Sequence, residues 1–260
     1  MRARVPVVLA ALGMATGGAG CGTGEESPSQ SGEPDVPFAV VSPSPASTAP
    51  APAVAPARAP GPPGSLAAYT RRTVILRARP GGAPVVRLKP RTEFDSPRVM
   101  GVVGRRGRWV AVLVPEVRGR PAWLDTRRGV ELIRTRFAID VDLSQRRLTL
   151  RRDGREVART TVAIGRPATP TPPGRYAVTD KLVTRKPTDS PYGCCVLALS
   201  GHQPDILQNW GGGDRLAIHS TRAEQTIGQA ASLGCLRAAT PVMRRLVRLV
   251  PLGTLVRVRS

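Results

Sequence analysis

Leu216-Ala217-Ile218-His219-Ser220-Thr221, followed by Ser232-Leu233-Gly234-Cys235-Leu236-Arg237, is the stretch on which the reading of this chain turns. The first part reads as a strand that ends on one of the chain's two His. The second places a Cys after a Gly and two residues before an Arg. A thiol with its ordinary pKa of about 8.5 is mostly protonated, so a nucleophilic Cys needs a base or a positive charge beside it. His219 has the proton affinity for that work near neutral pH. Arg237 suits a thiolate, or a substrate carboxylate held by two parallel N–H groups. Gly234 lets the backbone bend so that amide N–H groups face a developing oxyanion. A lone Cys is usually a small buried hydrophobe and a strand-end His is usually structural, so the weight lies on the pairing. The expectation is that the loop bearing Cys235 folds back onto the strand end that presents His219.

Around this stretch the chain reads as mainly β. Downstream, Thr240 can cap a short helix, with Pro241 at its first position and Val242, Met243, Leu246, Val247 and Val250 as its apolar stripe. Arg244, Arg245 and Arg248 fall between those positions and face solvent, and Pro251 and Gly253 stop the helix. Upstream, residues 137–143 and 147–151 alternate apolar and polar, and Asp153-Gly154 marks a hairpin turn into a strand over 157–164. Further strands are expected at 175–179, 196–200, 216–219 and 254–258, giving one unit over 135–260. Ahead of it, short strands at 73–76, 99–103, 109–114 and 122–124 lie between the turn signals Pro80-Gly81-Gly82 and Gly104-Arg105-Arg106-Gly107. They suggest a small β-barrel over 66–134.

The N-terminal end indicates the compartment. Met1-Arg2-Ala3-Arg4 is a short positive segment, and residues 5–15 are apolar but too short to span a bilayer, so residues 1–20 read as a signal peptide. Gly18-Ala19-Gly20 before Cys21 resembles a bacterial lipobox, with Gly18 where Leu is usual; an ordinary cleavage site beside an incidental thiol is the other reading. The expected location is the outer face of the cytoplasmic membrane, lipid-anchored through Cys21, within the cell wall. Residues 21–65 are rich in Pro, Ala and Ser and cannot bury enough surface to order themselves. They read as a tether that, at about 3.1 Å per residue, reaches on the order of 130 Å.

The formal charge of +21 is nearly all Arg and points to a polyanionic surrounding or to compositional bias. Aromatic residues are 3% of the chain and do not interleave with the basic ones, so nucleic acid is not expected as a partner. If Cys21 carries lipid, three Cys remain, an odd number in an oxidising compartment, which leaves at least one free or intermolecularly paired thiol. A bond between the neighbours Cys194 and Cys195, near a strand start, is strained, so one or both are expected as buried free thiols. His202 reads as a loop residue. No Cys/His spacing fits a metal site, and no cofactor is expected.

At Ile218-His219-Ser220 and at Ser232, Gly234, Cys235, Leu236 and Arg237 the sequence resembles the L,D-transpeptidase catalytic domain of YkuD type. Ile164-Gly165-Arg166, Thr169-Pro170-Thr171-Pro172-Pro173-Gly174-Arg175-Tyr176, and Leu143-Ser144 with Gln145, Arg147 and Leu148 resemble that family's upstream segments. The family commonly has His before the Gly, where this chain has Leu233. The resemblance covers residues 137–258 and implies a β-sandwich or barrel with a short helix after the Cys. Gly107-Arg108-Trp109-Val110-Ala111-Val112 with Pro121-Ala122-Trp123-Leu124 resembles an SH3-type module. The transpeptidase resemblance implies Cys235 as acyl-accepting nucleophile, His219 as base and Ser220 as the residue orienting the imidazole. It also implies Gly234 with the Cys235 amide at the oxyanion, Arg237 and Ser232 at the substrate, and Tyr192 in a lid over the site or in packing. The implied partners are peptidoglycan stem peptides and carbapenem-type inhibitors. A sortase-like enzyme is disfavoured because its Arg lies well beyond the Cys; a non-catalytic wall-binding lipoprotein or a degenerate transpeptidase is the alternative.

Overall fold

The computed structural model describes residues 65–127, 129–184, 190–206 and 213–260. The expected signal peptide, Cys21 and the tether up to residue 64 lie outside them. The described chain is mainly β with one short helix.

The first sheet has seven strands: β1 (Ser65–Thr70), β2 (Val74–Arg77), β3 (Pro84–Leu88), β4 (Arg98–Arg106), β5 (Trp109–Leu113), β6 (Ala122–Asp125) and β7 (Val130–Thr135). Their order is β3-β2-β6-β5-β4-β1-β7, and every pairing is antiparallel. Three of these strands, β1, β3 and β7, carry no clear period in the sequence. In β1 the reason is visible: Ala67 and Ala68 are weak strand formers, yet both are wholly buried because β4 and β7 pair on either side. Leu76, Leu88, Met100, Val110, Val112 and Leu124 form the core of this sheet.

The second sheet has eight strands: β8 (Phe137–Asp142), β9 (Arg147–Arg152), β10 (Arg155–Thr161), β12 (Gly174–Val183), β13 (Cys195–His202), β14 (Arg215–His219), β16 (Leu236–Arg237) and β17 (Leu255–Arg259). Their order is β10-β9-β8-β17-β12-β13-β14-β16. The C-terminal strand β17 inserts between β8, to which it is parallel, and β12. A two-stranded parallel ladder of β11 (Ile164–Gly165) and β15 (Ala230–Ser232) stands beside it. Helix α1 (Thr240–Leu249) packs Met243, Leu246 and Val247 into the same core as Leu197, Leu199, Ile218 and Leu236. Each such side chain contributes about 1.5–3 kcal/mol on burial.

The helix start differs from the sequence reading. Thr240 is its first residue and Ala239 its cap position, with no side-chain cap. The exposed amide of Thr240 instead donates to Glu224 Oε1 at 2.9 Å, so a carboxylate from the 3-10 turn Glu224–Thr226 caps the helix N-terminus.

The two sheets approach closely at Gly253. A Cβ there would stand 2.5 Å from Ala67 Cβ and 2.8 Å from Val99 Cγ1, at φ +79°. Only a residue without a side chain lets the connection into β17 lie against β1 and β4.

Candidate active site

Strand pairing brings the two halves of the decisive stretch together. β14 and β16 are parallel neighbours, with Ile218 opposite Leu236 and His219 opposite Arg237. Leu236, 1% exposed, anchors the chain just after Cys235 in the core. Cys235, the residue before β16, and His219, the last of β14, line one cavity of about 110 Å³. Tyr192, Leu233 and Arg237 line it too, together with Gln203, Asp214 and Arg215, which the sequence did not single out. Arg215 opens the strand that His219 closes, and that register is the one signal that could have found it.

His219 is 3% exposed, and its Nδ1 lies 2.6 Å from the Ser220 carbonyl. An N–H on Nδ1 donates to that oxygen, which assigns the tautomer and leaves the Nε2 lone pair for a proton. Burial pushes the imidazole down to about 4, against the favourable Ser220 bond, with Arg237 adding to the fall. His219 is therefore neutral across the physiological range. Burial likewise pushes the Cys235 thiol up, opposed by a hydrogen bond from the Ala217 backbone and by the Arg237 charge. At rest the pair is thiol and neutral imidazole rather than an ion pair. The thiol hydrogen faces the Arg215 carbonyl at 3.7 Å.

The acid side of the stability curve carries a consequence. The unfolded chain protonates His219 near 6.5 and the folded one only near 4, so the unfolded state takes up the proton first as pH falls. Stability present above pH 6.5 is lost down to about pH 4, by about 3 kcal/mol at 1.4 kcal/mol per pH unit. Thermal unfolding between pH 4 and 7 is expected to show this slope, and His219→Gln to flatten it.

Ser220 does two things. Its carbonyl holds the imidazole, while its hydroxyl donates to the Tyr192 carbonyl at 3.1 Å and accepts the Cys194 N–H at 2.6 Å. Tyr192 stands edge-on to the His219 ring, centroids 5.1 Å apart. Behind them Cys194 and Cys195, 2% and 3% exposed, are joined to each other in a disulfide, which corrects the expectation of free thiols. Cys194 belongs to the turn before β13, so strand alternation does not separate the two side chains. Cys235 is left as the free thiol among the described residues.

The loop carrying Cys235 is braced from within and from upstream. Ser232 Oγ donates to the Cys235 carbonyl at 2.6 Å and accepts the Gly234 N–H at 3.0 Å, so both groups face the loop rather than the cavity. Thr171 Oγ1 donates to the Gly234 carbonyl at 2.9 Å, which gives the Thr169-Pro170-Thr171 segment its structural meaning. Gly234 has φ +116°, and a Cβ there would meet Gln203 Nε2 at 2.5 Å, an atom that donates to the Pro170 carbonyl. Gly234→Ala is expected to cost about 1–3 kcal/mol in denaturant unfolding through this strain and the displaced Gln203. Arg237 Nε is buried without a hydrogen-bond partner among the described residues, an orphan donor at the cavity wall. His202, read as a loop residue, closes β13 with Nδ1 2.7 Å from Asp214 Oδ1.

Residues 136–258 match the family of L,D-transpeptidase catalytic domains called YkuD. The YkuD protein of Bacillus licheniformis is 33% identical over 119 residues, 45% of this chain and 62% of that protein. The Bacillus subtilis YkuD protein is 30% identical over 118 residues, 45% of this chain and 63% of that protein. The chain thus spans less than two thirds of these relatives. Among solved structures, a mutant of the Enterococcus faecium L,D-transpeptidase is 26% identical, covering 48% of this chain and 50% of that one at a TM-score of 0.36. L,D-transpeptidase 3 from Mycobacterium tuberculosis with a faropenem-derived adduct is 21% identical, covering 54% and 73% at a TM-score of 0.39. For the half of the chain that holds Cys235 and His219, the family match and both Bacillus relatives support the YkuD type of L,D-transpeptidase catalytic domain.

Proposed function

We propose that the chain is a peptidoglycan L,D-transpeptidase that works by acyl transfer through Cys235. The observation that carries this reading is the single cavity into which β14 and β16 bring Cys235 and an imidazole whose Nδ1 is pinned by the Ser220 carbonyl. His219 Nε2 takes the thiol proton as Sγ attacks the carbonyl of a diaminopimelate–D-alanine bond in a stem tetrapeptide. The C–N bond breaks, the proton passes to the departing D-alanine amine, and a thioester remains on Cys235. An acceptor amine of a neighbouring stem then attacks the thioester, losing its proton to His219, and Sγ regains a hydrogen. The Cys235 amide stabilises the oxyanion, since the Gly234 N–H is taken by Ser232. The Arg237 guanidinium, with its orphan Nε, receives a substrate carboxylate.

The same reading places the chain outside the cell, anchored by lipid on Cys21, with the first sheet as an SH3-like module at the wall. Incubation with a carbapenem followed by intact-mass measurement tests the site. A stoichiometric adduct that maps to Cys235 is expected; no adduct, with retained binding to isolated wall material, favours the non-catalytic binder.

A further inference from the structure

The residue whose carbonyl faces the Cys235 thiol is itself held by the other sheet. Arg215 sends Nε to the Leu199 carbonyl at 3.0 Å and Nη2 to Thr179 Oγ1 at 2.8 Å, both within the catalytic unit. Its Nη1 pairs with Glu93, and the Phe94 ring lies 6.0 Å from the guanidinium carbon. Wholly buried Asp180, 3.7 Å from Arg215 Nη2, accepts the Thr92 hydroxyl. Thr92, Glu93 and Phe94 are consecutive in the connection from β3 to β4. A second connection, from β5 to β6, reaches the residue before Arg215. Arg118 Nη1 lies 2.9 Å from Asp214 Oδ2, and the Pro115 carbonyl lies 2.9 Å from His202 Nε2. His202 in turn holds the other Asp214 oxygen. Two loops of the first sheet therefore grip both sides of the β13–β14 hairpin, next to the cavity wall formed by Asp214 and Arg215.

We propose that the first sheet supplies positioning residues to the catalytic centre: Glu93 and Arg118 fix Arg215 and Asp214, and through them the wall that encloses the Cys235 thiol. The inference rests on Cys235 being the reacting thiol of the proposed function. Glu93 and Arg118 are 48% and 66% exposed in their side chains, so as ion pairs they add little to global stability. Their effect is read at the cavity instead, where burial keeps the thiol protonated.

The test is the pH profile of Cys235 alkylation by iodoacetamide in the full-length chain, with a Cys21→Ser change so that the labelling reports Cys235, and the adduct located by peptide mapping. In Arg118→Gln the midpoint is expected to fall by about half a pH unit or more as water reaches the thiol, with Arg118→Lys returning it to the parental value. Removing a positive charge would by itself raise the midpoint, so a fall separates lost positioning from lost charge. The melting temperature is expected to stay within about 3 °C of the parent. Glu93→Asp, which keeps the negative charge but shortens its reach to Arg215, is expected to act in the same direction and is read in place of Arg118→Gln if that variant does not fold. An unchanged or raised midpoint in Arg118→Gln, or in Glu93→Asp where that variant is read instead, overturns the proposal. If the parent forms no carbapenem adduct yet the midpoint moves as described, the transpeptidase reading falls, and Glu93 and Arg118 are left holding the wall around the Cys235 thiol rather than a catalytic centre.

Discussion

Cys235→Ala is expected to lower cross-linking of stem tetrapeptides by at least about 10⁴-fold, to the rate of the reaction without enzyme, while the protein still folds. Two features support so large a loss. Among the described residues Cys235 is the free thiol, because Cys194 and Cys195 hold each other, so no second sulfur can substitute. The thiol also packs little that the fold needs. Cys235 is only partly buried, whereas the adjacent Leu236 fills the core and Ser232 braces the loop through the Cys235 backbone, not its side chain. Circular dichroism and a melting curve close to the parent, with dimer and D-alanine release absent by mass spectrometry, are the expected results. Retained release of D-alanine by this variant removes the mechanism.

His219→Gln is expected to lower the same rate at pH 7 by about 10³-fold, and the loss should shrink as pH rises above the thiol's own midpoint. The physical reason is the resting protonation of the pair. Burial pushes the thiol up and the imidazole down, so at neutral pH little thiolate preexists and the proton has to move during attack. Without the imidazole only hydroxide can take it, which becomes effective in alkali. The parent should instead keep its activity down to the acid side, falling only as His219 itself becomes protonated near pH 4. Parallel pH profiles for parent and variant, with no narrowing of the gap in alkali, would sink the assignment of His219 as the base.

Much of the site was legible in the chain because its chemistry is local. A strand ending on a His, a Cys after a Gly, and an Arg two residues on are read without coordinates, and so are the alternation in β8 and β9 and the apolar stripe of α1. What stayed hidden depends on neighbours far along the chain. β1 carries no strand signal because Ala67 and Ala68 have no strand preference of their own; pairing with β4 and β7 makes it an interior strand. The helix cap was sought in Thr240, the residue type that usually serves, but Glu224 from a separate turn does the work. Asp214 and Arg215 gave no motif, since their role comes from contacts with Glu93 and Arg118 about a hundred residues upstream.

By itself, then, the amino-acid order determined which sulfur and which imidazole are the candidates for chemistry, and that they ride on β-structure. Those properties follow from residue type and short-range periodicity. Tertiary structure alone decided that β14 and β16 run side by side, that Cys194 bonds to Cys195, and that a second sheet leans on the cavity wall. Each of these is a pairing across space, and the free energy of such a contact depends on burial and geometry that no local stretch of sequence encodes.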